Sequence, residues 1–415
     1  MSKKVVIIGG GIIGLCSSYY LQKEGHNVVI VDKSNLDSGA SYVNAGFLSP
    51  SHFIPLSAPG VMKAGLKWMF NPSSPLYIKP RLNLDFLKWA WAFNKSCNSK
   101  HVNKSIPVIK DISLLSQDLY SDIKRNESFK FHYEQKGLLM LCQTDKMLEE
   151  EIETAHIAKN NGLEVSELDV EGIKKVEPNV KLNVKGATYY KSDTHSTPSE
   201  FMNEMKAFLE SSGVKIYKNE EVLDIIVDKD EIRSIKTNKQ VIDADEFVLA
   251  AGSWSSLISQ KLGLNVLLQA GKGYRINTGK STNVSVPSIL TEAKVAVTPM
   301  NGFTRFAGTM EIAEINHTIN KVRVEAIAKA ATNYYPEVEL SKLDKENAAC
   351  GLRPLSFDGL PYIGKSKKCK NLTIATGHAM MGWTMATGTG KLVSEIISEE
   401  KTSLNLTPFH PDRTF

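Results

Sequence analysis

Residues 5–8 (Val-Val-Ile-Ile) and 28–31 (Val-Val-Ile-Val) are short β-branched runs, and each predicts a buried strand. Between them, residues 12–23 predict a helix that Gly25 stops. Residues 62–94 are aromatic-rich: Phe86, Trp89, Ala90 and Phe93 recur at i, i+3, i+4 and i+7, a helical stripe. Residues 100–180 read as mostly helical and charged, with one strand-like insert at 136–143. From Ser199 the order is helix, strand, a three-strand meander, and an apolar strand at 247–251 that runs into Gly252. Residues 257–347 alternate as antiparallel strands do, with Pro299-Met300-Asn301-Gly302 as a hairpin turn and a helix at 321–335. A strand at 372–375 then runs into Gly377-His378, and a helix is expected to begin near Gly382. Strand–helix alternation at both ends, with an alternating block between, predicts an α/β chain: a doubly wound domain plus an α+β domain on an antiparallel sheet.

Composition narrows the class. The chain has 415 residues, 42% hydrophobic and 23% charged, enough for two cores. Fifty Lys and Arg against 45 Asp and Glu give a net charge of +5, far from the basic density of a nucleic-acid binder. The five cysteines form no CxxC pair, so neither a zinc site nor a disulfide framework is expected, and a cytoplasmic protein is. Glycines interrupt the N-terminal apolar run, so neither a cleaved signal nor a spanning segment is expected.

Those glycines carry chemistry. Gly9, Gly11 and Gly14 have the GxGxxG spacing in a strand–turn–helix–strand context. Gly9 allows the turn, Gly11 admits a pyrophosphate to the backbone, and Gly14 lets helix pack on strand. Asp32, at the end of the second strand, is placed to accept from ribose hydroxyls. The motif alone does not separate FAD from NAD. A second helix start rich in Gly, Thr and Ala, near residue 382, is something a flavin uses: its N–H groups stabilise the negative charge of the reduced ring. Arg353 stands alone in the almost uncharged stretch 351–364, and burying it there requires an anion.

Taken together, the chain resembles the FAD-dependent D-amino acid oxidase superfamily, and within it the bacterial D-amino acid dehydrogenases of small-subunit type. The motifs are the GxGxxG with Asp32, NAGFLSP, SAPGV, the aromatic segment from Leu66, QAGKGYRI, GLRPLSFDGLPYIG and TGHAMMGWTMATGTGKL. The resemblance implies non-covalent FAD, oxidation of a D-amino acid to an imino acid that water hydrolyses, and electrons passed to a quinone or another non-oxygen acceptor. It implies that Arg353 binds the substrate carboxylate. Cofactor contacts are implied at Gly9, Gly11, Ile12, Ile13, Gly14, Asp32, Lys33, Ser41, Asn44, Ala45, Gly46, Phe47 and Leu48. Others are implied at Val222, Ala251, Gly252, Trp254, Gly377, His378, Met381, Gly382, Trp383 and Thr384. The expected division is a cofactor domain of residues 1–60, 148–256 and 346–415, and a substrate domain of residues 61–147 and 257–345. Peripheral membrane contact is expected through residues 68–91, with Trp68, Trp89 and Trp91, set against the plainer reading of a packed helix.

His52 and the Met380-Met381 pair depart from the pattern of that branch. His52 either lines a pocket shaped for a different substrate or is a surface residue, and the paired methionines suggest a softer, more apolar pocket suited to D-proline or a hydroxyproline. Lys272, Tyr274 and Met310 are placed near the substrate, His378 beside the flavin, and His195 in structural hydrogen bonding. The competing readings are a glycine- or sarcosine-type oxidase using O2, a flavin-binding module of an RNA- or protein-modifying complex, and an NAD-dependent dehydrogenase.

Overall fold

The structure, a computed structural model, describes residues 1–62, 74–79, 81 and 83–413. Leu66 and Trp68 of the aromatic segment therefore lie outside the described residues. The strands Lys4–Ile8, Asn27–Val31 and Glu246–Leu249 form the middle of a six-stranded sheet. Lys215–Tyr217 extends it on one side and Leu372–Thr376, then Tyr362–Lys365, on the other; only the last pair is antiparallel. Val5, Val6 and Ile7 have no exposure, as strands covered on both faces require.

Helix Ile12–Lys23 packs on this sheet and against Ala386–Ile397. Gly390 makes that approach possible, since a Cβ there would stand 2.5 Å from the Cys16 carbonyl carbon. The long helix Ser99–Asn126 also packs on Ala386–Ile397, with Thr387 Oγ1 donating to Ser116 O at 2.7 Å. Its Ile106, Ile109, Ile112 and Tyr120 share one core with Val5, Ile7 and Leu15.

A nine-stranded sheet forms the second layer, in the order Ala349–Ser356, Leu268–Thr278, Phe303–Ala313, Val295–Met300, Ser288–Leu290, Leu138–Cys142, Gly186–Tyr190 and Val165–Leu168, with Leu76–Ile78 added on Phe303–Ala313. Helix Lys321–Tyr334 covers it, burying Ile327 and Ala331. The meander is Val222–Asp228, Glu231–Thr237 and Val241–Asp243. The chain passes repeatedly between the two layers. Residues 99–126 join the core of the six-stranded sheet, while strands Val165–Leu168 and Gly186–Tyr190 belong to the other.

Two expectations are corrected. The large sheet is mixed and not purely antiparallel, because Ser288–Leu290 pairs parallel with Leu138–Cys142, and Leu76–Ile78 with Phe303–Ala313. The last helix begins at Ala386 and not near Gly382. Ala379 is left-handed (φ 48°), and Thr384 Oγ1 donates to Phe47 O at 3.0 Å, so the preceding residues form tied turns instead.

Candidate functional site

The first strand ends at the glycine turn, and the turn opens into a cavity of about 740 Å³ that reaches Arg353. Gly9 holds φ +108°, and a Cβ there would meet Ala250 O at 2.6 Å. Gly14 is a packing residue: its Cβ would stand 1.9 Å from the Gly9 carbonyl oxygen. Helix Ile12–Lys23 has no side-chain cap from Gly11 and no acid in its first turn, so its positive end faces the cavity. Ser41 lines the same wall, and its Oγ accepts from the Ile12 amide at 2.9 Å.

Asp32 is fixed where the second strand ends. Its Oδ2 accepts from the Gly10 amide at 2.7 Å, and its Oδ1 from the Ser34 amide at 2.7 Å and hydroxyl at 2.6 Å. A carboxylate has about four acceptor sites, so one remains for a hydroxyl in the cavity. Further along the wall, Lys33 Nζ stands 3.9 Å over the Trp254 ring, and Trp254 stacks on His317 with centroids 5.9 Å apart. Burial lowers the Lys33 pKa.

Arg353 occupies the strand Ala349–Ser356, paired antiparallel with Leu268–Thr278. It is half-buried and lines the cavity. Its Nη1 donates to Thr309 O at 2.9 Å, and no carboxylate of the described residues pairs with it. Burial pulls its pKa down to about 10, so the guanidinium stays charged at neutral pH and gains from any anion that reaches it. Gly273 makes the space: a Cβ there would lie 2.5 Å from Arg353 Cζ, Nη1 and Nη2 alike.

The same cavity is lined by Gly11, Ile12, Ile13, Asn44, Val222, Ala251, Gly252, Tyr274, His378, Gly382 and Trp383, each of them among the residues for which cofactor or substrate contact is expected. His378 is buried and neutral, its pKa lowered to about 3 by desolvation, and its Nε2 meets Thr389 Oγ1 at 2.9 Å. Ala45, Gly46, Phe47, Leu48, Gly377, Met381 and Thr384 stand behind the wall and not on it. They brace it: Ala45 O accepts from Thr298 Oγ1 at 2.7 Å, and Gly46 O from the Ser196 amide at 2.8 Å.

Several expected pocket residues lie elsewhere. Met310 packs in the core beside Leu76 and against Leu355, next to Gly271 and not on the cavity wall. Lys272 is buried, donating from Nζ to Asn316 Oδ1 and, at 3.2 Å, to Thr318 O. His52 is half-buried outside the lining; its Nδ1 meets Ser51 Oγ at 3.2 Å, and that hydroxyl donates to Asp193 at 2.6 Å. Tyr274 reaches the wall, but its hydroxyl is committed to Glu311 at 2.9 Å. Of the paired methionines, Met380 opens to the cavity while Met381 packs on the core. Among the described residues neither His195 ring nitrogen meets a partner in good hydrogen-bond geometry, while its backbone pairs on both sides in a small sheet.

Sequence reasoning missed Gly273, Thr309, His317 and Arg305. Arg305 is buried and donates to the carbonyls of Tyr42 at 2.9 Å and Asn44 at 2.7 Å, tying the cavity wall to the large sheet. The signal that singled out Arg353, a lone arginine in an apolar strand, was present for Arg305 too.

Residues 4–396 match the family model described as FAD dependent oxidoreductase, DAO. The chain belongs to the DAO family of FAD-dependent oxidoreductases. It is 31% identical over 398 residues to the D-amino acid dehydrogenase of Helicobacter pylori, covering 95% of each chain. It is 30% identical over 405 residues to that of Vibrio vulnificus strain CMCP6, covering 96% of each. Its fold is similar to glycine oxidase from Geobacillus kaustophilus, with TM-score 0.79, 21% identity, and coverage of 100% of this chain and 99% of that one. L-proline dehydrogenase from P. horikoshii gives TM-score 0.73, 19% identity, and coverage of 99% and 97%. The enzyme uses FAD, and the cavity suits it. The glycine turn and the positive end of helix Ile12–Lys23 fit the pyrophosphate, Asp32 keeps an acceptor site for the ribose, and the wall from Gly252 to Gly382 has room for a flat ring system.

Proposed function

We propose that the enzyme oxidises a D-amino acid, with Arg353 holding the substrate carboxylate. The observation that carries this reading is the unpaired guanidinium on the cavity wall, opposite Gly273 and close to no carboxylate of the described residues. A guanidinium fork binds a carboxylate bidentately and fixes its plane. Once the carboxylate is pinned, the Cα–H can be presented in one orientation, and the reaction becomes one of positioning. FAD, when bound, supplies the acceptor for the hydride. The residues of this chain do the rest: Arg353 orients, Thr309 O aims the guanidinium, and the apolar surroundings favour the neutral amine over the ammonium. His378 is neutral and offers no charge to the wall.

The names of the relatives support a D-amino acid and a dehydrogenase, hence an acceptor other than oxygen, such as a quinone. A cyclic substrate, D-proline or a hydroxyproline, fits the apolar Met380 on the lining. Non-covalent attachment of FAD belongs to the same reading. A peripheral membrane position would rest on the exposed face of helix Leu84–Ser96, where Leu84, Leu87 and Trp91 are uncovered beside Lys88 and Lys95. No helix among the described residues is long and apolar enough to cross a membrane.

The test is anaerobic mixing of the yellow protein with D- and L-amino acids, both prolines, hydroxyproline isomers, glycine and sarcosine, followed by flavin bleaching. Bleaching by D-amino acids alone, with no peroxide under air, is expected. Bleaching by glycine or sarcosine with peroxide would move the enzyme to the oxidases, and no bleaching at all would refute the amino-acid reading.

A further inference from the structure

The strand Thr194–Ser196 lies between Phe47–Leu48 and Tyr133–Glu134 in a sheet of three short strands. His195, at its centre, pairs through the backbone with Phe47 on one side and Glu134 on the other. Its side chain has no exposure, and among the described residues neither Nδ1 nor Nε2 meets a partner in good hydrogen-bond geometry, the Glu134 backbone being its one polar neighbour of note. An imidazole carries both a donor and an acceptor or two donors, and leaving both nitrogens unmet in a dry site is costly. Buried polar groups of this kind call for a partner that the protein's own atoms do not provide.

Two further side chains converge on that ring. The His132 ring lies 5.1 Å from it, centroid to centroid and nearly perpendicular. His132, Glu134 and His195 each offer one ligand atom, and no two of these atoms are more than 4.8 Å apart. His132 Nε2 and Glu134 Oε1 already stand 3.7 Å from each other. The outer contacts are also in place. His132 Nδ1 meets Thr197 Oγ1 at 3.1 Å, which orients the ring and leaves Nε2 free, while Lys136 sits 2.8 Å from the other Glu134 oxygen. Thr197 Oγ1 is itself fixed by the Asn301 amide at 3.0 Å. Such hydrogen bonds behind a ligand set its tautomer and direction.

We propose that His132, Glu134 and His195 bind a divalent transition-metal ion of the zinc class. Two imidazoles and one carboxylate suit Zn2+ and its neighbours, and suit Mg2+ or Ca2+ poorly because those prefer all-oxygen shells. Water takes the remaining position. Ligand atoms about 2.0–2.2 Å from zinc stand roughly 3.3–3.5 Å apart, so the triad contracts on binding. His195 is held by two strands; His132 and Glu134, with side chains 18% and 41% exposed, make the movement. The ion fastens the strand that braces the flavin cavity: Ser196, next to His195, holds Gly46 O through its amide and the Trp383 indole N–H through its hydroxyl at 3.0 Å. The site lies off the wall that carries Arg353 and acts on the cavity through this strand alone.

The experiment uses tag-free, flavin-loaded protein stripped of metal by chelator. Adding Zn2+ and desalting should leave one zinc per chain by elemental analysis, and should raise Tm, with no rise from Mg2+. Co2+ in its place should give tetrahedral d–d bands to the red of the oxidised flavin absorbance. His132→Ala and Glu134→Gln, both on the open side and so compatible with folding, should each weaken uptake at least tenfold. No zinc retained by the wild type, or equal retention by both variants, would overturn the proposal.

Discussion

Arg353 and Gly273 form one device split across two paired strands. The guanidinium lies where a Cβ on residue 273 would be, so the smallest possible substitution tests the position of the charge and not its presence. Arg353→Ala should keep flavin and fold while lowering kcat/KM by roughly 10²–10⁴, about 3–5 kcal/mol. Gly273→Ala should leave Tm nearly unchanged, because the side-chain end of Arg353 can swing away, yet cost about 10²-fold in kcat/KM as the guanidinium leaves its place. Steady-state kinetics with Tm measured alongside check both; an active Gly273→Ala enzyme would mean that the charge need not sit there. A second residue makes a prediction in pH. Asp193 is fully buried, and desolvation raises its pKa to about 7. Its unfolded value is about 3.9, so between about pH 4 and 7 the unfolded chain gives up a proton that the folded chain keeps. Stability from this group thus falls as pH rises through that window, and the cost is complete above it. The buried neutral histidines His195 and His378, with lowered pKa values, work in the opposite sense as pH falls. The comparison of Asp193→Asn with wild type isolates the aspartate. Urea unfolding should show Asn gaining on Asp from pH 4 to pH 8, by about 2–4 kcal/mol at the top.

At the scale of an element, helix Leu84–Ser96 carries two tryptophans with opposite fates. Trp89 is 2% exposed, stacks on Phe93, and donates from Nε1 to Leu355 O at 3.0 Å, two residues from Arg353 along the same strand. Trp91 is 59% exposed, with Lys95 Nζ 3.9 Å over its ring. Trp89→Ala should cost about 3–5 kcal/mol and lower kcat/KM as well, since it unseats the strand that carries the guanidinium. Trp91→Ala should change stability by no more than about 1 kcal/mol. Chemical denaturation of the two variants tests this contrast directly. The stripe of Phe86, Trp89, Ala90 and Phe93 was legible in the sequence, because helical spacing reports the face that packs. So were helix Ile12–Lys23, the Asn301-Gly302 hairpin and the meander, where turn residues and periodicity agree. The start of the last helix was not legible: a Gly, Thr and Ala-rich run is compatible with helix, and tertiary ties from Trp383 and Thr384 decide otherwise. Met310 shares its face of the large sheet with Arg353, but it packs there against Leu355 beside Gly271 and not on the cavity wall.

Across the whole molecule, the glycine turn and the place of Arg353 on the cavity wall were readable because each is anomalous in its local surroundings, while the route of the chain between two sheets was not. Residues 99–126 and 165–190 exchange layers without any break in composition to mark the crossing, and His195 and Arg305 draw their meaning from segments more than sixty residues away. That interleaving has an energetic consequence. The six-stranded sheet and the nine-stranded sheet are joined by main-chain bonds at the site itself: Ala379 donates to Pro354 O at 2.9 Å, and His378 bridges Leu355. Arg305 adds its two bonds to the carbonyls of Tyr42 and Asn44. Since neither sheet can open without breaking these ties, the two should unfold as one unit. The cavity that suits FAD is lined from both layers, so the flavin binds only when they are together. Its removal should then lower a single transition, and at flavin concentrations a hundredfold above Kd the stabilisation regained is about 2.7 kcal/mol. Calorimetry of apo- and holoenzyme measures this. One transition that shifts with flavin is expected; two transitions, only one of them flavin-sensitive, would show that the sheets melt independently and that the ties at Pro354 and Leu355 are too weak to couple them.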